Sequence, residues 1–203
     1  MTKVSSVFKK PKSFTPMVIE ESNSNMQILS VFDRLMQDRI IFLGEEIDDF
    51  IANTIIAQLL FLDNNSDKSE PIWLYINSPG GSVYDGLAIY DTIQMIDCPV
   101  YTCVVGLAAS MAFILAICGE KGNRFILPNS KMMMHQPLGG MHFSQATDIA
   151  IYNNEMQSIK HDLIEIIAKH TGVSYKKVLK DAERDNWMKA KDAITYGAID
   201  KIK

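Results

Sequence analysis

The chain has 203 residues, 47% hydrophobic and 22% charged, enough for one substantial domain with a buried core and typical of a soluble globular protein. A formal net charge of −4 gives no overall attraction to nucleic acid, and the longest strongly apolar stretch, around Ala108 to Cys118, is too short to span a bilayer. Cys98, Cys103 and Cys118 form no Cys-x-x-Cys pair and sit in or beside apolar runs, so they read as small buried hydrophobes in a reducing compartment rather than as a zinc site.

In chain order, residues 1–15 come first and depart from the average. They carry Lys3, Lys9, Lys10 and Lys12 and no acid; −4 for the chain less +4 for this segment leaves −8 on the remainder. Lys and Pro break the apolar run after Phe8, which does not suit a secretory signal. The expectation is a short basic tail or propeptide, followed by one domain over residues 16–203.

Within that domain, strand and helix patterns alternate. Arg39 to Leu43 reads as a short strand, and Asp48 offers an N-cap to a helix through Leu62 with Ile51, Ile55, Leu59 and Leu62 on one face. Ile72 to Ile76 is rich in residues that suit sheets and stops at Asn77-Ser78-Pro79-Gly80-Gly81, a strong turn signal. A helix is expected from about Val83 to Ile96. A strand follows from Pro99 through Val105, with Gly106 as its end, and then a helix from about Ala109 to Cys118 that is apolar on nearly every side and must be buried. Phe125 to Leu127 and Lys131 to Met134 are short strands, the second leaving His135 at its end. Repeated strand–turn–helix units argue an α/β fold with largely parallel strands. From Gln145 to His170 the pattern changes. Ile149, Tyr152, Met156, Ile159, Leu163 and Ile166 recur at steps of three and four on a helix of roughly seven turns, at about 3.6 residues each. That narrow seam suits either packing on the domain's own core or interlocking with a second subunit.

Two glycine-marked turns carry the candidate chemistry. At Gly80 and Gly81 the backbone can approach a ligand closely for want of a Cβ. At Ser110 the start of a buried helix supplies unpaired N–H groups that favour negative charge. Donors from both turns would form an oxyanion hole beside a serine nucleophile. Helix-start serines are more often caps, and the setting of small Ala108 and Ala109 is what favours catalysis here. A serine nucleophile needs a base. Of four histidines, His161 lies on the polar part of the long helix, His170 near its C-terminus, where a cation suits the dipole, and His142 in a loop. Only His135 has a position a scaffold fixes. Local chemistry does not choose the orienting carboxylate, which stays open at an Asp or Glu.

Taken together, Tyr75-Ile76-Asn77-Ser78-Pro79-Gly80-Gly81, Gly106 to Ala112, Met134-His135-Gln136-Pro137-Leu138-Gly139-Gly140, Gln145-Ala146-Thr147-Asp148-Ile149 and Glu183-Arg184-Asp185 resemble the Clp protease proteolytic subunits, from about Pro16 to the end. The resemblance implies a crotonase-like α/β fold of repeated β-β-α units with a long protruding handle helix at about 145–170. It implies Ser110 as nucleophile, His135 as base and Asp185, rather than the nearby Asp181, as orienting acid. It further implies Gly81 and Met111 as oxyanion donors, Gly139 and Gly140 on a strand that binds extended substrate, and Arg184 as a ring contact. Trp73, Tyr75 and Met95 match partner-docking positions, though ordinary core explains them too.

The assembly implied is two stacked heptameric rings of one subunit, or a mixed ring with a paralogue. It would be fed unfolded polypeptides by an AAA+ unfoldase in the cytoplasm or an organelle matrix or stroma, with no metal, no cofactor, no nucleic acid and no membrane. Met141-His142-Phe143-Ser144 is one residue longer than the usual family run. Three rival readings are an acyl-CoA hydratase or isomerase sharing the fold, a non-catalytic ring subunit, and a serine–lysine peptidase with Lys131 as base.

Overall fold

The computed structural model describes residues 17–22, 25–64, 67–140 and 143–203; the basic segment 1–15 and His142 lie outside them. The chain divides into two compact units, one ending at Asp38 and one spanning Arg39–Lys203. In the first, β1 (Met17–Ser22) pairs antiparallel with β2 (Asn25–Ser30), and α1 (Val31–Gln37) follows. Ser30 starts α1 by accepting from the Asp33 N–H at 3.0 Å and donating to its carboxylate at 2.7 Å, a reciprocal N-cap.

The second unit contains β3 (Ile40–Leu43), α2 (Asp49–Asn64), β4 (Ile72–Ser78), α3 (Val83–Met95), β5 (Val100–Ala109) and α4 (Met111–Ile117). It continues through β6 (Arg124–Ile126), β7 (Lys131–Met134), α5 (Ala146–Thr171), α6 (Tyr175–Asp181), β8 (Asn186–Lys189), α7 (Ala190–Thr195) and β9 (Lys201–Ile202). The sheet runs β3-β4-β5-β6-β9, all parallel, while β7 joins β5 in parallel and β8 antiparallel. This is the expected α/β architecture.

On β4, Ile72, Leu74, Ile76 and Ser78 are buried and Trp73 and Tyr75 face the other way, half-covered, as a period of two requires. Trp73 packs on Tyr101 and Phe125 with ring centres 5.3 Å apart in each case, and Tyr75 stacks on Phe42 at the same spacing. The Lys203 ammonium lies 4.3 Å from the Trp73 ring centre. Trp73 and Tyr75 thus belong to one outward aromatic face. Met95, the last residue of α3, is 67% exposed.

Gly106 does not end β5, as its glycine suggested; the strand runs on to Ala109. A step of two positions on β4, from Ile76 to Ser78, matches a step of four on β5, from Val104 to Ala108, so β5 bulges at Gly106, where φ is +101°. The bulge's backbone is satisfied from elsewhere. Ser130 Oγ accepts from the Gly106 N–H at 2.7 Å, and Asn77 Oδ1 accepts from the Leu107 N–H at 3.2 Å. Beyond the bulge β5 changes neighbours, pairing β6 through Thr102–Val104 and β7 through Leu107–Ala109. The result aims the strand's end, and Ser110 after it, at β7.

Helix α4 is buried along its whole length, as its apolar composition demands. Helix α5 is buried only in its C-terminal half, through Ile159, Leu163, Ile164 and Ile167. The anticipated stripe divides accordingly: Ile159 and Leu163 are buried in the core, Tyr152, Met156 and Ile166 are half-buried, and Ile149 is 50% exposed. Among the described residues no helix is long and apolar enough to cross a membrane.

Candidate active site

Ser110 joins β5 to α4 at φ +54°, ψ −124°, a region that disfavours side chains. Its hydroxyl does not cap the helix, although it occupies the N-cap position. The backbone is held instead by its N–H donating to the Met133 carbonyl at 2.9 Å, and by its own carbonyl accepting from Phe113 at 3.0 Å. Freed from capping, Ser110 Oγ lies 2.9 Å from His135 Nε2.

His135 follows β7, and the Gln136 N–H donates to the Ala182 carbonyl at 2.7 Å, which ties that segment to the end of α6. The antiparallel pairing of Met134 with Asn186 sets His135 opposite Asp185 on the next rung. The two side chains meet at 3.1 Å between Nδ1 and Oδ1. One tautomer satisfies both contacts: Nδ1–H donates to Asp185, and Nε2 accepts from the Ser110 hydroxyl. The His135 side chain is 14% exposed and that of Asp185 61% in the isolated chain.

The competing groups are engaged elsewhere. Asp181 accepts from Lys177 at 2.7 Å and from the Tyr196 hydroxyl at 3.1 Å. Lys131 is exposed at the start of β7, four residues and so roughly 13 Å of strand from His135. His161 contacts the Tyr175 hydroxyl at 2.8 Å and Glu165 at 3.2 Å on the exposed face of α5. His170 is not the dipole-stabilised cation its position suggested. Burial, with Lys169 and Arg124 nearby, pushes it down to about 4, so it is neutral and hydrogen-bonds the Tyr90 hydroxyl at 3.0 Å.

The glycine turn packs directly against the serine turn. At Gly80, φ is +92°, and a Cβ there would fall 2.5 Å from the Ala109 carbonyl oxygen, 2.7 Å from Ser110 Cβ and 2.9 Å from the Met111 nitrogen. At Gly81, φ is +152° and a Cβ would strike the Ile47 backbone. Met111 is the first residue of α4, where an N–H has no acceptor inside the helix. Gly81 and Met111 both line the cavity that holds Ser110 and His135. Gly80→Ala is expected to displace the Ser110 turn and slow phosphonylation of Ser110 by about 10²-fold. A fluorophosphonate labelling time course on the purified variant measures it, and a wild-type rate would contradict the packing argument.

That cavity, of about 260 Å³, is walled by Phe113 and Ile114 of α4, by Met133, and by Leu163, Ile164 and Ile167 of α5. Sequence reasoning placed α4 in the core and Leu163 on a possible subunit seam, and gave Met133, Ile164 and Ile167 no role at the site. The signal that could have marked the α5 residues is the doubling of the stripe at Leu163-Ile164 and Ile167, which widens the apolar face where the helix walls the cavity.

Gly139 and Gly140 are exposed, and residues 135–140 form no strand. Among the described residues the segment has no ladder neighbour, so its backbone is unpaired where an extended substrate would have to add as a strand. A Cβ on Gly139 would strike the Tyr152 hydroxyl of α5. Arg184 is exposed in the turn before β8, adjoining Asp185. Among the described residues no group of three or more His, Cys, Asp or Glu side chains could hold a metal ion.

Comparison with known proteins agrees with the geometry. The family described as Clp protease matches residues 22–203. An "ATP-dependent Clp protease proteolytic subunit" of Porphyromonas gingivalis is 53% identical over 188 residues, covering 93% of this chain and 84% of that protein. A Bacteroides fragilis protein of the same description is 53% identical over 187 residues, covering 92% and 89%. One from Bacteroides thetaiotaomicron is 51% identical over 187 residues, covering 92% and 84%. With the match running through both glycine turns and the segments of Ser110, His135 and Asp185, the chain belongs to the Clp protease family.

Proposed function

We propose that the protein is a serine endopeptidase subunit of a self-compartmentalising protease, cleaving unfolded polypeptides and peptides through an acyl-enzyme. The observation that carries this reading is the unbroken chain of contacts from Ser110 Oγ to His135 Nε2 at 2.9 Å and from His135 Nδ1 to Asp185 at 3.1 Å. Ser110 Oγ attacks the peptide carbonyl while His135 Nε2 takes its proton. Asp185 keeps the proton on Nδ1 and stabilises the imidazolium. The oxyanion that forms is received by the N–H groups of Gly81 and Met111, fixed by their turns before the reaction begins. His135 then protonates the leaving amine, the new N-terminus departs, and the same imidazole activates a water that hydrolyses the Ser110 ester. The apolar cavity beside Ser110 receives the side chain preceding the scissile bond, and Gly139 and Gly140 hold the substrate backbone in extended form.

Assembly is part of the proposal. Asp185 is largely exposed in the single chain, and the N-terminal half of α5 has no buried residue. Both observations favour a subunit that is completed by others, with α5 as a handle between two stacked heptameric rings and Arg184 at a contact within a ring. The rings contain this chain alone or this chain with a paralogue. An ATP-dependent AAA+ unfoldase docks on the outer surface, where the half-covered aromatic face bearing Trp73 and Tyr75 and the exposed Met95 at the end of α3 offer apolar contacts. The peptidase domain spans residues 16–203, and residues 1–15 precede it as a basic tail or propeptide. Residence in the cytoplasm fits three free, buried cysteines.

One experiment addresses chemistry and assembly together: fluorophosphonate labelling of the purified protein, read with its native mass. The expected result is a single adduct at Ser110 in a ring-sized complex. Enoyl-CoA turnover that survives Ser110→Ala, with no peptide hydrolysis, would move the protein to the hydratase class.

A further inference from the structure

The reaction above leaves one charged group of the cavity without a role. Lys160 lines the same space as Ser110 and His135, and it is the only lysine or arginine among the described residues that does so. It stands three residues before Leu163 and four before Ile164 on α5, which places it on the same helical face as that apolar wall. The side chain is half-buried, and no hydrogen bond or ion pair engages its ammonium among the described residues. A lysine stem lies along apolar surface at little cost while its head seeks an acceptor. Here the nearest unfilled space is the one a substrate side chain enters.

We propose that Lys160 is a specificity-determining residue, extending this apolar pocket to long substrate side chains that end in an acceptor, glutamate above all, and turning away lysine and arginine. The inference rests on the peptidase reading of the site. Glutamate and lysine both bury methylene groups against Leu163, Ile164 and Phe113, and a cavity of about 260 Å³ admits either. The end charge therefore decides between them. A carboxylate reaching the Lys160 ammonium replaces lost hydration with an opposite charge, whereas a second ammonium meets a like charge in a partly desolvated site.

The test uses the purified assembly and three fluorogenic peptides that differ only in leucine, glutamate or lysine before the scissile bond. Wild type, Lys160→Met and Lys160→Glu are compared, with fluorophosphonate labelling of Ser110 reporting that each variant has formed its site. In wild type, kcat/KM for the glutamate peptide should exceed that for the lysine peptide by about tenfold. The ratio should fall toward one in Lys160→Met and invert in Lys160→Glu. If Lys160→Glu fails to label, the Lys160→Met ratio decides alone. An unchanged ratio in a variant that still labels overturns the role of Lys160 and leaves the peptidase reading standing. Absence of leucine-peptide cleavage and of labelling in wild type overturns both.

Discussion

Ser110→Ala should lower peptide hydrolysis by about 10⁴-fold or more, and His135→Ala by a similar factor, because the two act as one unit. The nucleophile and its base are already in contact at 2.9 Å, so neither retains its chemistry without the other. What survives is the modest acceleration supplied by binding and by the Gly81 and Met111 N–H groups. Asp185→Asn tests a different step. The amide fills the same space but no longer stabilises the imidazolium, and it permits the tautomer with the proton on Nε2, which cannot accept from Ser110. The expected loss is about 10³-fold, within the range for general base catalysis. Ser110→Ala and His135→Ala should keep the native mass of the wild type, since their side chains hydrogen-bond one another. Measured kcat/KM on a short fluorogenic peptide is the readout. Wild-type hydrolysis by Ser110→Ala would end the serine peptidase interpretation.

The largest effect on stability is expected at Arg124. Its side chain is 4% exposed and donates to Asp200 twice, from Nε at 2.9 Å and from Nη2 at 2.7 Å. Nη1 donates to the carbonyls of Ile117 at 3.3 Å and His170 at 3.0 Å, the C-terminal ends of α4 and α5. A cation at the carbonyl ends of two helices is favoured by their dipoles as well as by the carboxylate. Arg124 thus binds the helix that Ser110 begins and the helix that walls its cavity to the edge of the sheet. Arg124→Met leaves the half-buried Asp200 without its counter-charge and the carbonyl ends of α4 and α5 without their donor, and should cost about 3 kcal/mol, lowering Tm by roughly 10 °C. The double variant Arg124→Met, Asp200→Leu removes both charges and should recover part of that loss. Thermal unfolding of the two variants beside wild type measures the difference. A single variant as stable as wild type would show that the pair is not a staple.

The same pair sets a pH dependence. Burial pushes the Asp200 carboxyl up, but hydrogen bonds and charge from Arg124 and the Gly122 N–H outweigh it, and the net direction is below the ordinary value of 3.8. A carboxylate depressed in the folded state stabilises fully above its unfolded value, and that contribution is lost as pH falls through the folded one. The gap in Tm between wild type and Asp200→Asn should therefore be widest near neutrality and close below about pH 4, the ordinary carboxylate range.

Much of this molecule is local in origin and was legible as such. β7 occupies Lys131–Met134 as its composition indicated, and α2 begins after Asp48, whose carboxylate accepts from the Ile51 N–H at 2.8 Å. The burial of α4, the two glycine turns and the position of His135 at a strand end also follow from side-chain type and spacing. Such features depend on neighbours within one turn or one strand, which a sequence displays directly. Ser110 could be placed at a helix start in the same way, but its role there could not. Whether a serine caps or attacks depends on what its hydroxyl faces, and a backbone at φ +54° with His135 across from it is a tertiary fact.

The sequence alone determined the strand–helix alternation, the two turns and the pair of residues able to act as nucleophile and base. Tertiary structure decided the rest, because the remaining forces act between segments far apart in the chain. Gly106 reads as a strand end until Asn77 and Ser130 arrive to satisfy its bulge. His170 reads as a cation until burial beside Arg124 and Lys169 makes the charge too costly. Asp185 is indistinguishable from Asp181 by local chemistry; the pairing of β7 with β8 puts one beside His135, and Lys177 and Tyr196 hold the other.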